Sequence, residues 1–141
     1  TDSVGLNAAY TTDSWSLAAA YIHDDGAKED GTSSWGINGT YVFDESNLPT
    51  LSAGYETQAT AGTDTSGYFV GLTWPEVGPG SVSVGAATKG NFADTATEYM
   101  IYEASYSYPV NDGLTVTPGV FIEETAGDDL TGIIVKSSFS F

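Results

Sequence analysis

The chain has 141 residues and a mass of 14.7 kDa, which fits one domain, 1–141, and is too short to divide comfortably into two. Three Lys plus Arg stand against 19 Asp plus Glu, a formal charge of −16, so phosphate backbones are repelled and nucleic acid is excluded as a partner. There is no Cys, hence no disulfide, thiolate metal site or thiol nucleophile, and apolar runs such as Leu17 to Ile22 are far shorter than the roughly twenty residues of a spanning helix.

The chain opens on Thr1-Asp2-Ser3, with neither Met nor a charged-then-apolar leader, and reads as a processed form or as an excised part of something longer. From there apolar residues recur at every second position, and clusters of Gly, Pro, Asn and Asp break the pattern into segments. The segment 3–12 places Val4, Leu6, Ala8 and Tyr10 on one side, against Gly5 and Asn7. The segment 14–24 places Trp15, Leu17, Ala19 and Tyr21 against Ser16 and Ala18. In 33–44 the apolar side is Trp35, Ile37, Tyr41 and Phe43, and in 48–58 it is Leu51, Ala53 and Tyr55, opposite Ser52, Gly54 and Glu56. Tyr68, Val70, Leu72 and Trp74 follow in 66–75, with Phe69, Gly71 and Thr73 turned the other way. In 80–90 the sides are Val82, Val84 and Ala86 against Ser83 and Lys89. The last three segments, 98–109, 113–123 and 129–141, carry Met100, Tyr102, Ala104, Tyr106 and Tyr108, then Leu114, Val116, Val120 and Ile122, then Ile133, Val135, Phe139 and Phe141. Opposite these lie Glu103, Ser105, Thr115, Thr117, Phe121, Lys136 and Ser138.

Nine alternating segments of about ten residues predict an all-β chain, and the lengths suit strands that cross a bilayer at a tilt rather than the five to six residues usual in soluble sheets. Most aromatic rings fall on the apolar side and near segment ends. Tyr10, Trp15, Phe43, Trp74, Tyr108 and Phe141 would mark one edge, and Tyr21, Trp35, Tyr55 and Tyr68 the other, with small aliphatics between. Amphipathic rings settle at headgroup level, so two rows around an aliphatic band predict an antiparallel transmembrane β-barrel with the lipid bilayer as its solvent. Connections alternate too. Those at 12–13, 45–47, 76–80 and 111–113 are compact, whereas 23–33, 57–65, 90–97 and 123–129 are longer and more acidic, which assigns the short set to the periplasm and the long set to the outer face. No charge falls within the aliphatic band, and Glu56 and Glu103 are the only mid-strand acids, both on the polar side.

At the last two segments, Asp112-Gly113-Leu114-Thr115-Val116-Thr117-Pro118-Gly119-Val120-Phe121 and Asp129-Leu130-Thr131-Gly132-Ile133-Ile134-Val135-Lys136-Ser137-Ser138-Phe139-Ser140-Phe141, the chain resembles the C-terminal end of cyanobacterial outer-membrane porins. These carry surface-layer-homology domains and are of the iron-uptake and carbohydrate-selective type. The resemblance implies a barrel of roughly sixteen strands, an outer-membrane location, a homotrimer and a link to iron supply. Phe139 and Phe141, in register with Val135 and Ile133, look like the signal read by the outer-membrane insertion machinery. The surface-layer-homology domain and coiled coil of that family are not in this sequence. Nine strands cannot close a bacterial single-chain barrel, which uses an even number, so the chain reads as the C-terminal portion of a larger porin. An eight-stranded closed barrel without a pore is the competing count.

The functional expectation is passive diffusion of small hydrophilic solutes or inorganic ions, with no catalysis and no cofactor. Lumen candidates are Glu56, Lys89, Glu103 and Lys136, the lysines placed to pair with Glu56 or Glu103 across the lumen, together with Phe69 and Phe121 as rings on which a sugar stacks or an inward loop packs. Asp24, Asp25, Glu29, Asp30, Glu123, Glu124, Asp128 and Asp129 form an acidic outer rim suited to concentrating cations, iron among them. The run from His23 to Gly31 spaces its carboxylates roughly as a calcium loop does but lacks the full pattern, so no metal site is assigned. His23 is the only His, and no Gly-x-Ser-x-Gly elbow accompanies it. A secreted or surface β-sandwich for binding or adhesion is the alternative from another class.

Overall fold

The computed structural model describes residues 2–25, 31–45, 47–60, 63–89 and 98–140. They form one antiparallel sheet of nine strands in chain order: β1 (Ser3–Thr11), β2 (Trp15–Asp24), β3 (Thr32–Tyr41), β4 (Thr50–Thr60), β5 (Thr63–Val77), β6 (Gly80–Thr88), β7 (Met100–Asn111), β8 (Leu114–Glu123) and β9 (Leu130–Phe139). Each strand pairs only with its neighbours in sequence, and β1 and β9 are the two open edges. Neither a second sheet facing the first, as a sandwich needs, nor a closed eight-stranded barrel is formed by the described residues.

The predicted faces survive in the ladder, because most pairings on the apolar side keep apolar opposite apolar. Leu6 lies opposite Tyr21, Ala19 opposite Ile37, Tyr55 opposite Tyr68, Leu72 opposite Val84, and Val120 opposite Ile133. Among the described residues nothing packs against this face. Among the described residues no hydrophobic side chain is buried, and Leu6, Val135 and Ile133 are 68%, 62% and 80% exposed. A soluble monomer of this mass exposes about 6,900 Å², whereas this chain exposes 9817 Å². The excess is the signature of a sheet whose apolar side is covered by something other than protein.

The aromatic rows have a slant that sequence alone does not reveal. Following the ladder straight across from Tyr10 on β1 leads through Leu17, Gly39, Ala53, Val70, Ala86, Tyr102 and Ile122 to Thr131 on β9. Of the turn-end rings that the sequence marks, Phe43 follows the end of β3, Tyr108 lies two residues beyond Tyr106, and Phe141 is outside the described residues; the rings within strands instead run from Tyr10 through Trp15, Tyr41, Trp74 and Tyr106 to Phe139, eight residues beyond Thr131 after eight strand-to-strand steps. The loop-end row shifts the same way, since Ser66 stands in the ladder position of Tyr21 but the ring on β5 is Tyr68. A shift of two-thirds to one residue per strand, at about 3.3 Å per residue and about 4.8 Å between strands, corresponds to strands tilted by about 25–35° to the aromatic rows. Membrane barrels tilt their strands by about 35–45°. Neighbouring rings reinforce each row, with Tyr10–Trp15 centroids 5.3 Å apart and Trp35–Tyr55 5.5 Å apart.

Local chemistry explains where strands stop. Thr12 closes the first turn, its Oγ1 donating to the Trp15 carbonyl at 3.1 Å and accepting from the Trp15 amide at 3.0 Å. Gly78 adopts φ 63°, a conformation that favours glycine, and turns β5 into β6. Asn111 Oδ1 accepts the Gly113 amide at 2.9 Å ahead of β8. Pro75 and Pro109 both sit at register shifts, where a missing donor does least harm.

One predicted connection is corrected. The stretch 57–65 is not a long loop: β4 and β5 stay paired until Thr60 meets Thr63. Thr57 Oγ1 donates to the Thr65 carbonyl at 2.9 Å and Thr65 Oγ1 to the Gln58 carbonyl at 3.4 Å, so threonine hydroxyls and β-branching extend the ladder where composition suggested a loop. The strand bounds otherwise move by a few residues, β3 ending at Tyr41 rather than at 44 and β9 starting at Leu130.

Val84→Arg, in the middle of the aliphatic band, is expected to destabilise the lipid-refolded chain by about 2–4 kcal/mol in urea titration, against less than about 1 kcal/mol for Ser83→Arg on the opposite face. Equal effects would contradict the assignment of faces.

Candidate functional site

The face opposite the apolar one is built from small and polar residues, and the sheet curls toward it. Small side chains there, such as Ser16, Ala18, Gly36, Gly54 and Gly71, are half-buried, while the large residues of the other face splay outward. The hollow side forms a trough of about 750 Å³ across β1 to β6, with Asn7, Asn38, Glu56, Gln58, Phe69 and Lys89 among its lining residues. Hydroxyl pairs knit the wall nearer the short turns: Ser16 and Thr40 at 2.7 Å, Thr73 and Ser83 at 3.0 Å, Thr117 and Ser107 at 3.2 Å.

The sequence-predicted lumen residues all lie on this face. Gly54 stands opposite Phe69, Gly67 opposite Glu56, Gly85 opposite Glu103, Glu103 opposite Phe121, and Thr117 opposite Lys136. Both phenylalanines use a glycine as their seat. A Cβ on Gly54 would collide with the Phe69 ring, and a Cβ on Gly132 with the Phe121 ring. Each ring thus lies across the neighbouring strand and covers backbone that a bare glycine would leave open. Among the described residues both rings pack on the wall itself.

The charged candidates are arranged differently from the sequence expectation. Lys89 forms an ion pair with Glu123 and not with Glu56 or Glu103. Lys89 lies two residues beyond Ala87, whose row runs through Ile101 to Glu123, so it reaches Glu123 diagonally across β7, although straight along the ladder its own row leads through Gly67 to Glu56. Among the described residues Lys136 makes no ion pair and is exposed on β9. Glu56 and Glu103 are exposed and likewise unpaired with any cation among the described residues.

The structure places the described part of the acidic set at one end of the sheet. Asp24, Asp25, Glu123, Glu124, Asp128 and Asp129 lie at the long-connection end, whereas Glu29, Asp30 and Phe141 are outside the described residues. Several of these carboxylates are committed. Asp24 accepts from Ser3 Oγ at 3.1 Å; Glu124 accepts the Met100 amide at 2.9 Å and the Tyr102 hydroxyl at 3.2 Å. No group of three or more metal-ligating side chains converges among the described residues.

Sequence reasoning missed the setting of His23. Its Nδ1 lies 2.8 Å from Ser33 Oγ and its Nε2 2.9 Å from Asp25 Oδ1, so one ring ties β2, β3 and the start of their connection together. Gly31, at φ 58°, passes so close that a Cβ would stand 3.2 Å from the His23 ring. A serine and a carboxylate bracketing a histidine resemble parts of a hydrolase site, but here Ser33 is the residue directly paired with His23 in the ladder and the set fastens the rim. The signal available in sequence was the distance-two pair His23 and Asp25; Ser33 required the register.

A single curled sheet with one lipid-facing and one small polar face, ringed by two slanted aromatic rows, defines part of an outer-membrane β-barrel wall. A family model for Gram-negative porins matches residues 1–129, and the chain belongs to that family. The family places it in the outer membrane and makes it a channel-type protein. No curated protein and no solved structure matches the chain.

Gly54→Val is expected to displace the Phe69 ring and cost about 1–3 kcal/mol, and much of that loss should vanish in a Phe69→Ala background. A double-mutant cycle by urea unfolding in detergent measures the coupling; additive losses would show that ring and glycine are not in contact.

Proposed function

We propose that the chain forms part of the wall of an aqueous channel through which small hydrophilic solutes and inorganic ions diffuse passively across the outer membrane. The single observation that carries this reading is the slant of the aromatic rows against the strand register. It fits a tilted sheet held between two lipid interfaces, and it leaves the small polar face to line water. The open edges at β1 and β9 favour closure by further strands, because an exposed edge within lipid leaves unpaired backbone groups. The likeness of the last two strands to cyanobacterial porins of the iron-uptake and carbohydrate-selective type supports a barrel of about sixteen strands assembled as a homotrimer, with Phe139 and Phe141 read by the insertion machinery. The short turns then face the periplasm. No catalytic step belongs to this reading.

Selectivity follows from charge. A net charge of −16, a rim of carboxylates and a lumen face on which Lys89 is already neutralised by Glu123 favour cations, metal ions such as iron included, over anions. Glu56 and Glu103 are the acids within the wall that set the sign of the local potential. Lys136 opposes them from β9.

In planar bilayers under a salt gradient, the reversal potential of the assembled channel should have the sign of cation preference. Replacing both wall acids, Glu56→Gln with Glu103→Gln, should move it toward zero, and raising salt from about 0.1 to 1 M should weaken the preference as the Debye length shrinks from about 10 to 3 Å. Anion preference in the unaltered protein would remove the charge argument; absence of conductance would remove the channel reading.

A further inference from the structure

We propose that Phe69 and Glu56 together form a weak binding station on the lumen wall for organic cations, the class that combines a positive centre with an apolar surround, such as quaternary ammonium groups. The inference rests on the trough facing the aqueous channel, as proposed above, but its residues are placed by the sheet alone.

The geometry starts from two glycines. Gly54 on β4 faces Phe69 on β5, and Gly67 on β5 faces Glu56 on β4, in successive rows on the same side of the sheet. Lacking side chains, both glycines admit their partners: the Phe69 ring lies over Gly54, and the Glu56 carboxylate leans over Gly67, its Oε1 3.5 Å from where a Cβ would be. The two side chains therefore lie crosswise and next to each other along the floor of the same trough. Phe69 meets Gly54 through its Cε1, with Cδ1 and Cζ next, and retains 44% of its surface exposed, so part of the ring stays open to the trough. A cation over an open ring face is attracted by the ring quadrupole, and a carboxylate beside it adds a full negative charge.

The surroundings select against anions. Lys89, the cation of this trough, is held by Glu123, so an anion finds no free positive partner there among the described residues. A neutral sugar is the competing ligand, because Asn38 lies beyond Gly54 in the row of Phe69 and Gln58 also lines the trough; dependence on the probe's charge and on Glu56 separates the two. A second ring lies elsewhere on the same face. Phe121 sits on Gly132 in the same way and faces Glu103 across the ladder, apart from the residues that line the trough. Replacing it controls for choline held at that other ring, which the Gly54 and Gly67 amides do not report.

The test uses the isotope-labelled full chain folded in detergent micelles, with the Gly54 and Gly67 amide resonances as reporters and choline as the probe. Choline is expected to shift both amides saturably in the millimolar range. Phe69→Leu and Glu56→Gln should each weaken binding about two- to fivefold, and Phe121→Leu should leave it unchanged. Glu56→Gln keeps the ring and both glycine contacts, so it tests the station even where Phe69→Leu disturbs the sheet. Unmoved glycine amides, shifts that survive Glu56→Gln undiminished, or equal shifts from the uncharged isostere 3,3-dimethylbutan-1-ol or from methyl glucoside would overturn the assignment. Loss of the channel reading in bilayers leaves this result standing, and a conducting protein without choline shifts removes the station alone.

Discussion

The constraint on which everything else depends is that, among the described residues, no part of the chain covers the apolar side of this sheet. Nine strands touch only their ladder neighbours, so the free energy that a soluble domain gains by covering side chains with one another must come here from removing them into lipid. That single condition accounts for the two-residue period, for the absence of charge in the band between the aromatic rows, and for rings gathered where hydrocarbon gives way to headgroups. It also explains why the opposite face is built from glycine, alanine, serine and threonine. A wall one strand thick curls only toward the side with less bulk, and that side then holds water.

On the hollow side, backbone coverage and charge share the work. Phe69 and Phe121 shield glycines of adjacent strands, which keeps the ladder dry at positions where close approach demanded the smallest residue. The ion pair of Lys89 and Glu123 removes one of the few positive charges from circulation at the loop end. The carboxylates left free within the wall therefore act with little opposition, and the electrostatic character of the surface is set by a few residues and not by the overall charge alone.

Much of this is legible in the amino-acid sequence by itself. The nine segments, both faces and the two ring rows follow from alternation and from the aversion of charge to hydrocarbon, which act residue by residue and need no tertiary context. What the sequence hides is what register decides. Glu123 as the partner of Lys89 cannot be read there, because sequence assigns no row to either residue. The seats under Phe69 and Phe121 are invisible for the same reason, each glycine lying on another strand. Thr57 to Thr65 misleads because polar, turn-forming composition resembles a loop, while threonine hydroxyls bound to carbonyls of the facing strand extend a ladder. His23 stands out as the single histidine, but Ser33 becomes its neighbour only through the pairing of β2 with β3.

The prolonged β4–β5 ladder has a mechanical consequence. Beyond Tyr55, the ring that marks the headgroup level on β4, five further residues remain paired, a rise of about 16 Å along the strand. Slack chain at a barrel entrance can drop inward and act as a plug, but a hydrogen-bonded tongue bends only by breaking its ladder. This sector of the vestibule is consequently a stiff parapet, and the threshold over which a solute must pass beside it is fixed in height.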